Sequence, residues 1–276
     1  MIDMENFVIV FLSALLLVAL VYVISQRCRV GHPGLAKLRG WYYAHRGLHG
    51  NGVPENSMEA FRLALEGGYG IELDVHLMAD GNLAVIHDAS LKRTAGEDVK
   101  IENLTLKDLD AYRLEGTDEK IPTFRQVLDL FDGKAPLIVE LKAEGGNHAA
   151  LTNAVCNMLD TYEGVYCLES FDPRCILWLK NNRPEFIRGQ LSENFIKATK
   201  TKLPGIIRFI MTFLLTNFIN SPDFVAYKFA DRKNPSVWVS RKLWGVQGVT
   251  WTIKSKEDLD QADIEGWISI FEGFNP

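Results

Sequence analysis

The chain has 276 residues, of which 47% are hydrophobic and 24% are charged, so it can bury the core of one large domain or two small ones. This composition excludes a disordered or collagen-like chain. Its 35 acidic side chains outnumber its 30 basic ones, and the net charge of -5 does not favour nucleic acid as a partner. The 4 cysteines form no C-x-x-C pair, so we expect neither a disulfide framework nor a structural zinc site.

A continuous apolar segment lies near the N-terminus, at residues 7–24. It is just long enough to span the hydrocarbon core of a bilayer as one helix. A cleaved signal peptide is the alternative, but Asp3 and Glu5 precede the segment where such a peptide carries positive charge, and no small-x-small cleavage site follows it. We therefore predict a transmembrane anchor over residues 1–26 and a linker over residues 27–40.

Basic residues follow the apolar segment, whereas none precedes it. The basic residues that follow are Arg27, Arg29, Lys37 and Arg39. The positive-inside rule then places the rest of the chain in the cytoplasm, as the catalytic part of a single-pass protein of the cell membrane.

Beyond residue 40, short β-like runs alternate with amphipathic helical stretches. The eight strand candidates are 41–45, 70–77, 135–142, 164–170, 185–190, 223–228, 245–253 and 266–271. This alternation predicts an α/β fold, a (β/α)8 TIM barrel formed by residues 41–276, with a doubly wound open sheet as the alternative.

One part of the chain breaks the alternation. The pair Asp80–Gly81 lies between two β-like runs, which is a hairpin signal. The polar segment that follows, up to Thr123, fits no single strand–helix unit, and a helix over 124–131 comes after it. We therefore predict a small insertion after the second strand, at about residues 78–123.

Charged side chains stand at the ends of the first three strands. They are His45 and Arg46 on the first, Glu72 and Asp74 on the second, and Glu140 and Lys142 on the third. Because alternate residues of a strand point to one face, each i, i+2 pair shares a face, and strand ends converge at the carboxyl rim of a barrel.

Three carboxylates brought together in this way would repel one another unless a cation joined them. Oxygen ligands favour Mg²⁺ or Ca²⁺, and a metal beside an Arg and a Lys suits a phosphate group. The alternative is a set of strand ends that are merely salt-bridged by Arg46 and Lys142.

Two histidines end apolar runs near these carboxylates, His45 and His87. A pair of imidazoles beside a phosphate can act as general base and general acid near neutral pH. A structural, hydrogen-bonded role is the alternative for either residue. We expect His76 to face away from the site.

Residues 44–94 resemble the signature of the glycerophosphodiester phosphodiesterases. The matching elements, in order, are H-R-G at 45–47, P-E-N-S at 54–57, E-L-D-V at 72–75, D-G at 80–81 and H-D at 87–88. The later V-E-L-K at 139–142 and W-T at 251–252 also match, so the resemblance extends from about residue 41 to the end of the chain.

The resemblance implies a TIM barrel, one divalent ion and a set of site residues. It implies metal ligation by Glu72, Asp74 and Glu140, acid and base roles for His45 and His87, and phosphate or substrate contacts from Arg46, Lys142, Asn56 and Trp251. The implied reaction is hydrolysis of a glycerophosphodiester to sn-glycerol 3-phosphate and an alcohol. Two alternatives stay open: hydrolysis of lysophospholipids by a lysophospholipase D reaction, and a membrane-anchored barrel that binds a lipid without turnover.

Two segments depart from the family pattern. Near the C-terminus, Glu272 stands where relatives often carry an Asp. The stretch 203–219 is strongly apolar, and we expect a helix that either lies in the membrane interface or covers the mouth of the active site. An ordinary barrel helix, buried against the sheet, is the alternative.

Overall fold

The computed structural model describes residues 4–198 and 203–276. Its strands are β1 (Tyr43–His45), β2 (Gly70–Leu77), β3 (Leu83–Val85), β4 (Leu137–Leu141), β5 (Tyr166–Ser170), β6 (Arg188–Ser192), β7 (Phe224–Lys228), β8 (Gln247–Ile253) and β9 (Trp267–Phe271). All except β3 are parallel, and they close into a barrel because β1 pairs with both β2 and β9. This closure confirms the predicted TIM barrel and excludes the open sheet.

Apart from α1, the helices lie between the strands, and several of them begin with a capping side chain. They are α1 (Met4–Ser25), α2 (Met58–Glu66), α3 (Lys92–Ala95), α4 (Phe124–Phe131), α5 (His148–Leu159), α6 (Pro173–Asn182), α7 (Gly205–Thr212), α8 (Asn217–Asn220), α9 (Pro235–Trp238) and α10 (Lys256–Ile264). At the start of α2, the Ser57 hydroxyl accepts a hydrogen bond from the Ala60 amide. At the start of α4, Thr123 and Gln126 form a reciprocal capping box, and the helix has the predicted bounds.

The insertion after β2 is present and has a small core of its own. Strand β3 pairs antiparallel with the end of β2, and Gly81 in the connecting turn has a φ of +83°. That positive φ explains the glycine, since a side chain at this position would be strained. The buried apolar residues of the insertion include Met78, Leu91, Ile101, Leu104, Leu109 and Ile121.

Of the eight strand candidates, the fifth has the least accurate predicted bounds. The sequence predicts residues 185–190, whereas β6 runs from Arg188 to Ser192. The residues before it form a turn whose backbone carbonyls, at Pro184 and Phe186, accept hydrogen bonds from the Arg29 guanidinium. Because Arg29 lies far from this turn in the sequence, the local sequence pattern could not predict the contact.

Residues 27–40, predicted as a linker, pack against the amino-terminal end of the barrel. Leu35 and Leu38 are buried and belong to the same apolar cluster as Tyr43 and Phe224 inside the barrel. Arg29 forms an ion pair with Asp223, just before β7. The segment is therefore held on the barrel and is not a free tether.

Helix α1 is long and apolar enough to cross a membrane, with a mean hydropathy of 3.1 in its most apolar window. Its place near the N-terminus fits either a membrane anchor or a signal sequence. Its C-terminal end contacts the barrel: the Tyr22 hydroxyl lies 2.6 Å from the Ser236 hydroxyl, and the Trp244 indole donates to the Val23 carbonyl at 2.9 Å.

The apolar stretch 203–219 does not form one helix. It contains α7 and the start of α8, separated by a turn in which Leu214 has a φ of +52°. Leu214 and Met211 are buried, whereas Ile206 and Phe209 are exposed, so the segment is neither fully buried nor fully on the surface.

Candidate active site

The carboxylates predicted as metal ligands meet at the carboxyl ends of two neighbouring strands. Glu72 and Asp74 lie on β2, and Asp74 is directly opposite Glu140 of β4 in the parallel register. His45, the last residue of β1, is opposite Glu72. Alternation along β2 and the short distance between paired strands therefore bring the four side chains to one place.

Glu72, Asp74 and Glu140 offer oxygen atoms that all lie within 4.8 Å of one another, and all three side chains are buried. Burial, together with the charges of Asp74 and Glu140, raises the pKa of Glu72 well above its usual range. Burial likewise raises the pKa of Glu140 to about 7. These carboxylates lack water and repel one another, which is the environment that a bound cation stabilises. The cluster could hold a metal ion.

Two cations and one amide border the cluster. The Lys142 ammonium lies 3.0 Å from Asp74 Oδ1 and 2.7 Å from Glu140 Oε1. Arg46 Nε lies 3.5 Å from Asp74 Oδ2, to which the Asn56 side-chain amide donates at 2.8 Å. Burial alone would raise the pKa of Asp74, but Lys142, His87 and Arg46 hold it well below its usual range.

The two predicted histidines are each held by a carboxylate on Nδ1. His45 Nδ1 lies 2.5 Å from Glu272 Oε2, and His87 Nδ1 lies 2.6 Å from Asp88 Oδ1. Burial lowers the pKa of both imidazoles, to about 4 for His87, and the charge of Asp74 acts on both in the opposite direction. His45 Nε2 lies 3.9 Å from Glu72 Oε2, and His87 lines the same cavity as Glu140. In each ring Nε2 is the nitrogen left for a substrate.

Glu272, the residue after β9, lies beside His45 at the rim of the barrel. Besides His45 it contacts the Lys254 ammonium at 3.1 Å, and the hydrogen bond from His45 lowers the pKa of Glu272 to about 2. It is therefore a carboxylate that orients His45. Ligand atoms of His45, His49 and Glu272 also lie within 4.8 Å of one another, but these ion pairs and hydrogen bonds already use Glu272.

Trp251 lies on β8 and packs, partly buried, against the apolar cluster that contains Tyr43 and Phe224. Its ring packs edge-to-face on Phe171 with centroids 5.6 Å apart, and Lys228 lies 5.9 Å from its centroid. Phe171 in turn lines the cavity beside the carboxylates.

The prediction for His76 is wrong. His76 follows Glu72 and Asp74 at the same two-residue spacing, so it shares their side of β2, and it lines the cavity beside them. Its ring lies between Glu102, 2.6 Å away, and the His87 carbonyl, 3.2 Å away.

Three further residues complete the site and were not singled out from the sequence. Glu55 joins Arg46 and Arg93 by ion pairs of 3.0 and 2.6 Å. Glu169, opposite Glu140 in the register, is buried, and burial raises its pKa well above the usual range. Glu55 belongs to the P-E-N-S element, which is a signal that could have identified it; Arg93 and Glu169 carry no such signal.

A cavity of about 820 Å³ opens beside the carboxylates. His87, Glu140 and Lys142 line it, together with Asp172 and Arg174 from the β5–α6 region and apolar residues that include Phe171 and part of α7. The cavity thus joins the charged groups of the site to apolar side chains.

Comparison with known families agrees with this geometry. The sequence profile of the glycerophosphoryl diester phosphodiesterase family matches residues 45–269, which include His45, His87 and the cluster of Glu72, Asp74 and Glu140. The chain belongs to this family. Solved structures show the same fold: a glycerophosphodiester phosphodiesterase from Thermotoga maritima is 26% identical, with a TM-score of 0.63 over 84% of this chain and 93% of that one.

The names or titles of three other similar proteins state a product or an activity. An Oleispira antarctica phosphodiesterase, solved in complex with the product sn-glycerol-3-phosphate, has a TM-score of 0.72 at 21% identity and covers 88% of this chain and 95% of that one. A Caldanaerobacter subterraneus glycerophosphodiester phosphodiesterase is 43% identical over 36% of this chain and 44% of its own length. A Rattus norvegicus lysophospholipase D is 31% identical over 51% and 50%. The chain thus spans about half the length of these two curated relatives or less.

Proposed function

We propose that the protein hydrolyses glycerophosphodiesters to sn-glycerol 3-phosphate and the free alcohol. The observation that carries this proposal is the convergence of three buried carboxylates with two carboxylate-oriented histidines at one rim of the barrel. Membership of the family and the names of the phosphodiesterase relatives support it. The alternative of a barrel that binds without turnover is not favoured, because the residues proposed as metal ligands, acid and base lie together in the barrel.

The proposed cofactor is one divalent ion, Mg²⁺ or Ca²⁺, held by Glu72, Asp74 and Glu140. A donor set made only of carboxylate oxygens suits these hard cations and does not suit a soft metal. When bound, such an ion supplies positive charge that polarises a phosphoryl oxygen and stabilises developing negative charge.

The chain's own residues bind the phosphate and move the protons. Arg46 and Lys142 place positive charge beside the carboxylates, and Asn56 fixes the orientation of Asp74. With Nδ1 engaged by a carboxylate, each histidine can take or give a proton at Nε2. One removes the proton of the nucleophile and the other protonates the leaving alkoxide, a role that the negative charge of a bound phosphate favours because it raises the histidine pKa.

Trp251 is proposed to contact the substrate side of the site. The support is its packing on Phe171, because Phe171 lines the cavity that adjoins the charged groups. The ring would then help to shape the pocket for the part of the substrate outside the phosphate.

A lysophospholipase D reaction is the second candidate activity. It releases the headgroup alcohol and leaves a lysophosphatidic acid. The name of the rat relative and the apolar side of the cavity favour it.

The proposed setting is the cytoplasmic face of the cell membrane. Residues 1–26 serve as a single-pass anchor, residues 27–40 join it to the catalytic domain, and residues 41–276 form that domain. The support is the apolar α1 and the basic residues that follow it. The partners are then a small or lipid-like phosphodiester and the bilayer.

The test uses the purified full chain in detergent micelles with Mg²⁺ or Ca²⁺ and glycerophosphocholine. We expect choline and sn-glycerol 3-phosphate as products, identified by mass. An excess of chelator should abolish turnover reversibly without loss of the circular dichroism signal of the barrel, and Glu72→Gln should abolish it permanently. Full activity in excess chelator would contradict the metal proposal, and absence of turnover with either ion would contradict the enzymatic one.

A further inference from the structure

We propose that Arg93, on helix α3 of the insertion, is a positioning residue that holds the His87 imidazole in place for proton transfer. This inference rests on the proposed phosphodiesterase activity and adds a residue on which its rate depends. Arg93 acts through Asp88, whose carboxylate lies between the guanidinium group and the imidazole ring.

The Asp88 carboxylate uses both of its oxygen atoms. Oδ1 accepts the Nδ1 proton of His87 at 2.6 Å, and Oδ2 accepts a hydrogen bond from Arg93 Nε at 2.5 Å. Burial alone would raise the pKa of Asp88, but the hydrogen bonds from Arg93 and His87 lower it, so this side chain is charged at neutral pH. The Asp88 side chain is 31% exposed, so packing alone does not fix it. Arg93 therefore sets the direction from which Asp88 orients the ring.

The other nitrogen on the same edge of the Arg93 guanidinium is held by Glu55. Arg93 Nη2 donates to Glu55 Oε1 at 2.6 Å, and Arg46 Nη1 donates to the same oxygen at 3.0 Å. Because the guanidinium group is planar and its donors are fixed relative to one another, two carboxylates on one edge set its orientation. Arg93 is thereby fixed relative to Arg46, which lies beside the carboxylate cluster.

The backbone that carries Arg93 is fixed by its buried neighbours. Leu91 is part of the core of the insertion, and Thr94 is buried as well. The Leu91 amide also donates to the Val99 carbonyl at 2.9 Å. A side chain that leaves a packed segment needs only its own rotamer to be fixed, and the two carboxylates do this for Arg93.

The insertion also holds the main chain of His87. His76 Nε2 lies 3.2 Å from the His87 carbonyl oxygen, and His76 Nδ1 lies 2.6 Å from Glu102, a residue of the insertion. His87 is thus held at its ring through Arg93 and at its backbone through His76. Both contacts lead to the insertion, so this departure from the strand–helix alternation has a role at the site.

The kinetic test is a double-mutant cycle on the full chain in detergent micelles, with Ca²⁺ or Mg²⁺ and glycerophosphocholine. Arg93→Ala should lower kcat by at least about tenfold, because a loosely held acid or base is less often in the productive geometry. KM should change by less than about twofold, since Arg46 keeps its contacts with Glu55 and Asp74. In the His87→Ala background, Arg93→Ala should lower kcat by less than about twofold, because the group that it positions is already absent.

Lys92→Ala is the matched control for this cycle. Lys92 precedes Arg93 on α3, and its side chain is 71% exposed and paired with Asp98, so its removal should leave kcat unchanged. The Arg93 side chain is itself 47% exposed, so its ion pairs contribute little to stability and the circular dichroism signal of Arg93→Ala should be unchanged. An equal loss of kcat from Arg93→Ala with and without His87 overturns the proposal, and so does full kcat in the single variant.

A spectroscopic test reports on His87 without turnover. The full chain carries isotope-labelled histidine, and the nuclear magnetic resonance signal of the His87 Nδ1 proton is identified by its loss in His87→Ala. Arg93→Ala should raise the exchange rate of this proton with water by at least about tenfold, because Asp88 can then turn away from the ring. Lys92→Ala should leave the rate unchanged, and an unchanged rate in Arg93→Ala overturns the proposal.

The outcomes separate this proposal from the proposed activity. Absence of turnover by the unaltered chain contradicts the activity, and the exchange measurement still decides whether Arg93 positions His87. Turnover by the unaltered chain, with the same kcat and the same exchange rate in Arg93→Ala, overturns the positioning role and leaves the phosphodiesterase intact.

Discussion

At the scale of single residues, neighbouring carboxylates and burial set the tautomer and the pKa of His45 and His87. Glu272 and Asp88 each accept the Nδ1 proton of one histidine, which fixes the ring and leaves Nε2 unprotonated at neutral pH. Burial lowers the pKa of both rings, so both are neutral before a substrate arrives. Glu272 and Asp88 therefore hold the two rings in place.

The corresponding prediction concerns both histidines. His45→Ala and His87→Ala should each lower kcat on glycerophosphocholine by at least about 10²-fold, because that is the usual scale for a positioned acid or base. Neither change removes a carboxylate of the cluster, so binding of Ca²⁺, measured by calorimetry, should persist. His32→Ala is the control, since His32 lies at the opposite end of the barrel beside Glu185. A variant that retained nearly full kcat would show that its histidine is structural.

At the scale of elements, the sequence predicts the strands well because each is a short apolar run between turn signals. The signature over residues 44–94 and the later V-E-L-K element contain the carboxylates and histidines that the structure brings together, since neighbouring parallel strands place their ends side by side whatever lies between them. Contacts between distant segments were not predictable. The packing of residues 27–40 on the barrel depends on the ion pair with Asp223 and on the burial of Leu35 and Leu38 beside Tyr43 and Phe224. The break at Leu214 likewise interrupts an apolar pattern that by itself favours one continuous helix.

A prediction follows for the segment between α1 and the barrel. The Asp223 side chain is fully buried, whereas that of Arg29 is 28% exposed. Arg29→Ala should lower the free energy of unfolding by about 2 kcal/mol, because it leaves a buried carboxylate without its partner. The effect is below that for a fully buried pair, since Arg29 is partly in water and the Arg188 amide still donates to Asp223.

Urea unfolding of the full chain in detergent micelles measures this effect. Arg27→Ala is the matched control, because Arg27 is exposed two residues earlier and its removal should change the free energy of unfolding little. Equal effects of the two substitutions would mean that the ion pair contributes nothing to the attachment of this segment.

For the whole molecule, the contacts at the C-terminal end of α1 fix the position of the barrel relative to the proposed anchor. Tyr22, Val23 and Gln26 bind three different parts of the barrel surface. The distance from the end of α1 to the cavity is therefore set by packing and not by the length of a flexible chain. A soluble form of the protein should accordingly begin before residue 22, since removal of residues 1–30 would also remove these contacts and Arg29.

The last prediction concerns the side of the membrane on which the barrel lies. Four basic residues follow α1 within fifteen positions and none precedes it, so the positive-inside rule predicts a cytoplasmic barrel. A reporter fused after Pro276 should be active only in the cytosol, and protease added to intact cells should spare the catalytic domain. As a control, Asp3→Lys with Glu5→Lys places positive charge before α1 and should increase the fraction of molecules with an external reporter. An external reporter on the unaltered chain would reverse the proposed orientation.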